Sequence, residues 1–129
     1  MKELFNFDPS QVTIELASAF SYTPKILKNY IINRRRTGLL YIKKGTYEYS
    51  WQSGAFCAEA DSLVYLPPDC QPYSYAIAFP SNFQGAETMQ IEFDLRDINT
   101  NLPYAYSEHP IIVFENAQFL KEHFPATQN

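Results

Sequence analysis

Along residues 46–51, Thr-Tyr-Glu-Tyr-Ser-Trp, rings and polar side chains alternate at every step. A period of two puts Tyr47, Tyr49 and Trp51 on one face and Thr46, Glu48 and Ser50 on the other, the pattern of a half-buried β-strand. The same kind of segment recurs on both sides. Residues 37–44 are an aliphatic and aromatic run that stops at Gly45, residues 55–59 return after Gln52-Ser53-Gly54, and Leu63-Val64-Tyr65-Leu66 stops at Pro67-Pro68. Residues 72–78 then carry Tyr73, Tyr75 and Ile77 on alternate positions. Proline has no ladder donor and so ends a strand. Gly54 reads as the left-handed residue of a tight hairpin turn. Short strands at this spacing predict an antiparallel barrel or sandwich.

Outside this block the pattern is sparser. Residues 12–17 alternate Val12, Ile14 and Leu16 against Thr13, Glu15 and Ala17, residues 28–33 read as an edge strand, and residues 88–95 place Met89, Ile91, Phe93 and Leu95 on one face. Residues 79–87 read as a loop, residues 96–110 lack periodicity and read as a loop that leaves the barrel, and residues 111–114 as a last short strand. Asn116 is a helix cap candidate, with Phe119, Leu120 and Phe124 on one side of a helix over 117–124 before Pro125. The expected organisation is an arm over residues 1–11, a β domain over 12–114 and a C-terminal helical segment over 115–129.

A chain of 129 residues can bury one core, and 46% hydrophobic with 16% aromatic residues indicates a folded, β-rich domain. The net charge of −4 argues against nucleic-acid binding by this segment, since phosphate contacts need clustered cations. Seven of the ten basic residues nevertheless lie between Lys25 and Lys44. Arg34-Arg35-Arg36 reads either as a clamp for a phosphate or carboxylate, or as a solvated strand end, the usual fate of short charge runs. No apolar run approaches the ~20 residues of a membrane span. The opening MKELFNFDPS lacks a long apolar h-region, so a cytoplasmic location is expected, with Cys57 and Cys70 as buried reduced thiols.

The block resembles the N-terminal sensing domain of AraC-type transcription regulators, a cupin-like barrel. The likeness rests on Arg34-Arg35-Arg36, the strand GLLYIKKG over 38–45, TYEYSW over 46–51, SLVYLPPDCQPYSY over 62–75 and QIEFDL over 90–95. It spans about half of the chain. Three positions depart from the family pattern: Ala60-Asp61-Ser62 and Asp69 stand where glycines are common, and Pro72 stands where metal-binding cupins have a histidine. The resemblance implies an all-β, cupin-like antiparallel barrel (a double-stranded β-helix or jelly roll) with a short C-terminal helix. It also implies a homodimeric effector-binding domain, with DNA contacted only through a C-terminal helix-turn-helix half that this chain lacks.

Enzyme chemistry has little to build on. The only histidines are His109 and His123, outside the strands and without the HxH spacing of a cupin metal site; both are expected on the surface. No cofactor is expected. If the family register holds, Leu40, Ile42 and Lys44 face inward on one strand and Thr88, Gln90 and Glu92 on another, and a slip of one residue reverses both sets. The candidate ligand-binding residues are then Lys44, Tyr47, Tyr49, Tyr73, Tyr75, Gln90 and Glu92, a polar cluster beside aromatic walls suited to a sugar or other small polar effector. Against this stand a structural Lys44–Glu92 pair and tyrosines that serve only to pack two sheets. A stand-alone cupin-fold epimerase or dioxygenase is the alternative function, and a pure interaction module that self-associates through its tyrosine-rich face and binds nothing small is a third.

Overall fold

A computed structural model describes residues 9–22, 28–31, 34–68, 72–78 and 87–115. A short 3-10 turn, Pro9–Gln11, leads into nine strands: β1 Val12–Tyr22, β2 Lys28–Ile31, β3 Thr37–Lys44, β4 Thr46–Trp51, β5 Gly54–Ala58, β6 Leu63–Leu66, β7 Tyr73–Ala78, β8 Glu87–Asp97 and β9 Ile111–Phe114. They form a five-stranded sheet in the order β1-β8-β3-β6-β9 and a four-stranded sheet in the order β2-β7-β4-β5. Every ladder in both is antiparallel.

The strands therefore form two open sheets, and the expected closed barrel is corrected to the sandwich alternative; the expected C-terminal helix has no counterpart among the described residues. Gly45 makes one of the corners at which the chain changes sheets. After a register shift between Ile42 and Lys44, Gly45 takes φ 100° and sends the chain from β3 in one sheet to β4 in the other. An L side chain is disfavoured at that φ, so glycine makes the corner. No α-helix occurs among the described residues. The segment 117–124, expected to be helical, lies outside them, as do residues 1–8 of the expected arm and both Cys70 and His123.

The two sheets meet face to face. Leu40, Ile42, Val64 and Leu66 from the larger sheet pack with Tyr47, Tyr49, Ala58, Tyr73 and Ile77 from the smaller, all nearly inaccessible to water. Aromatic rings dominate the smaller sheet's contribution. Tyr49 has ring centroids of Phe56, Tyr47, Tyr73 and Tyr75 within about 6 Å, at 5.3, 5.8, 5.9 and 6.1 Å. Such pairs add roughly 0.5–1.5 kcal/mol each beyond the area they bury.

A second cluster lies on the opposite face of the larger sheet, around Tyr41, Leu63, Tyr65, Met89 and Val113. The loop after β8 does not leave the fold as its sequence implied. It forms a bridge between Arg96 and Pro103, and the Tyr106 amide donates to the Tyr65 hydroxyl at 2.9 Å. At the start of this loop the Asp97 carboxylate accepts the amides of Thr100 and Asn99, which hold its carboxyl below the ordinary value.

Two further readings of the sequence need correction. Gly54 is not a left-handed turn residue: it opens β5 opposite Trp51, and a Cβ there would meet the Trp51 ring at 2.8 Å. Among the described residues the left-handed positions are Gly45, Asp61 (φ 73°) and Asn101 (φ 60°). Cys57 is an exposed free thiol rather than a buried one, because it lies on the outward face of β5.

Candidate functional site

The polar residues of β8 face the space between the sheets. Gln90 pairs with Leu40 and Glu92 with Gly38, so both share a face with the core residues of β3. An apolar strand would normally fill this row. Here Gln90 is only 7% exposed, and its Nε2 donates to Glu92 Oε2 at 3.0 Å. The Ser18 hydroxyl of β1 donates to the other carboxylate oxygen at 3.4 Å. Glu92 thus sits in a ring of donors, which replace part of the water lost from around its carboxylate.

The cation in this cluster is Arg34. Its Nη2 lies 2.9 Å from Glu92 Oε2, and its side chain is 14% exposed against 28% for Glu92. Gly38 makes the room, since a Cβ at that position would run into the guanidinium. Arg34 Nε is buried and makes no hydrogen bond. A buried guanidinium N–H without an acceptor is costly, so the geometry has a polar donor available between the sheets. One step further out the row repeats with Arg36 Nε on Asp94 at 3.2 Å, now half exposed.

Lys44, the expected cation, is elsewhere. The register shift at the end of β3 sets it opposite Glu87, where its ammonium lies 3.6 Å from that carboxylate and is exposed. Glu87 and Glu92 are five residues apart on one strand, roughly 17 Å at the usual rise. Lys44 and Glu92 are therefore not brought together, and the expected Lys44–Gln90–Glu92 cluster is corrected to Arg34–Gln90–Glu92 with Ser18. The arginine triplet carried the missing signal, but a run of three like charges before a strand gives no hint that its first member turns inward.

The tyrosines are divided. Tyr47, Tyr49 and Tyr73 are each 2% exposed and belong to the core between the sheets, while Tyr75 is half-buried against it. Tyr49 and Tyr75 also border a concavity of about 550 Å³ over β4, β5 and β7, together with Glu48, Ser50, Cys57 and Ser74. The Ser50 and Ser74 hydroxyls lie 2.9 Å apart there. His109, expected at the surface, is half-buried and stacks on Trp51 with ring centroids 4.3 Å apart and planes 12° from parallel. Among the described residues no group of three or more His, Cys, Asp or Glu is placed to hold a metal ion, and no helix is long and apolar enough to cross a membrane.

No protein-family model matches this chain. No curated protein matches it at a significant level either.

Proposed function

We propose that this chain is a ligand-sensing domain of the kind found at the N-terminus of AraC-type regulators, binding a small polar effector between its sheets. The observation that carries the reading is Arg34: a guanidinium drawn in from a basic run, anchored on Glu92, with its Nε left without an acceptor. Arginine and carboxylate together offer both donors and acceptors, the chemistry that reads the hydroxyls of a sugar or the carboxylate of a small metabolite. Self-association and an attached DNA-binding half complete the proposal. The effector would act by favouring one arrangement of the attached half over another. A cytoplasmic location goes with this role.

Calorimetry against a panel of monosaccharides and small carboxylic acids tests the reading. At least one member is expected to give heat with the native protein, and Arg34→Ala is expected to weaken that binding at least tenfold. Silence across the whole panel, or full binding by the Arg34 variant, overturns it. The tyrosine-face module is less well supported, because Tyr47, Tyr49 and Tyr73 are spent inside the core.

A further inference from the structure

β1 stands out among the sheet edges. Among the described residues it pairs with β8 on one side only and runs for eleven residues, whereas the other edge strands, β9, β2 and β5, have four, four and five. Natural edges are usually short or carry lysine or proline, which discourages pairing with another chain. β1 has neither, and Glu15 is its one charge. Ile14 is 64% exposed, Leu16 65% and Phe20 42%. The single irregularity is a bulge between Leu16 and Ser18.

Ile14 and Leu16 do not form an isolated patch. They pair with Leu95 and Phe93, on the face where Tyr41, Met89 and Val113 form the second core cluster. That apolar face is buried over β3 and β6 and comes into the open at β1. Charge is laid out in a telling way on the opposite face. Within one chain Glu15 pairs with Asp94, a like-charge neighbour, while Thr13 pairs with Arg96.

We infer that the outer edge of β1 is the dimer interface, and that its partner is the β1 of a second copy, paired antiparallel about a two-fold axis at Ile14. In that register Ile14 faces its own counterpart and Val12 faces Leu16, so the exposed aliphatic side chains cover one another. Thr13 then faces Glu15. Each Glu15 gains the other copy's Arg96 two strand spacings away, about 10 Å, in place of a row containing only Asp94. An isologous contact of this kind closes on itself, so it yields a dimer rather than a filament. The bulge after Leu16 limits the ladder to the first half of β1. This inference rests on the self-association included in the proposed function and gives it a location.

Sedimentation of the full chain decides the matter. The native protein is expected to sediment as a dimer, and Ile14→Lys and Leu16→Lys are each expected to halve the mass while leaving the circular dichroism unchanged. Cys57→Lys, at an exposed position on β5 in the other sheet, is expected to stay dimeric. Ile14→Cys, with Cys57 and Cys70 changed to serine, is expected to form an intermolecular disulfide on mild oxidation, which tests the register without relying on the lysine variants folding. A monomeric native protein overturns both the inference and the self-association behind it. A native dimer that survives both lysine changes, or fails to cross-link at Ile14, overturns the β1 interface alone.

Discussion

Gly38 and Arg34 compete for one volume: a Cβ on residue 38 would occupy the place of the Arg34 guanidinium. The atoms in the way are the far end of a flexible side chain, so Gly38→Ala should fold and expel Arg34 rather than disrupt β3. The fate of the Arg34–Glu92 pair then shows in a double-mutant cycle. Gly38→Ala is expected to be more destabilising in the native background than in Glu92→Gln, with a coupling of about 1 kcal/mol from chemical denaturation. Additive effects would mean that Gly38 does not hold the pair in place.

The Tyr41 hydroxyl donates to Asp61 at 2.6 Å, from a residue with no exposed surface. Burial, then the hydrogen bond to Asp61 and its charge, push the phenol far above its ordinary 10.0. The folded chain therefore keeps a proton that the unfolded chain loses above about 10, and stability must fall as the pH rises past that value. Tyr41→Phe should cost about 1.5 kcal/mol at neutral pH, the scale of a hydrogen bond to a charged acceptor, and should flatten the alkaline decline. Melting temperatures of the two proteins at neutral and alkaline pH check both effects.

Asp61 also shows what could be read from the sequence and what could not. Its place at the turn departs from a pattern that has glycine, and the structure gives the reason: φ is 73°, which aspartate tolerates better than most residues, and the side chain is used by Tyr41. The alternation of β4, β7 and β8 was legible because a period of two survives whatever the strands pair with. Closure into a barrel was not, since it depends on which edges meet, and β1 and β2 end up in different sheets. Arg34 was illegible for a related reason. Its inward course depends on Gly38 and Glu92, four and 58 residues away, and only pairing brings them together.

Trp51 is the sole tryptophan, and His109 lies flat against it at 4.3 Å. The imidazole covers one face of the indole, so His109→Ala is expected to expose Trp51 and shift its emission to longer wavelength. Identical emission spectra from the two proteins would show that the stack does not persist in solution.

The last prediction separates two cations that the sequence could not. Lys43 and Lys44 both approach Glu87, at 3.9 and 3.6 Å, from exposed positions. Surface pairs like these are worth little, and either lysine can substitute for the other, so Lys44→Ala should leave the melting temperature almost unchanged. Arg34 differs in burial and in what its loss leaves behind. Without it, Glu92 keeps the donors of Gln90 and Ser18 but loses its counter-charge in a half-buried site. Arg34→Ala should cost about 2 kcal/mol in chemical denaturation, and Glu92→Gln in the same chain should recover part of it, because the stranded charge is then gone. Recovery by the second substitution is the informative result: a residue that merely packed its methylene stem against the sheet would be equally missed whether position 92 is charged or neutral.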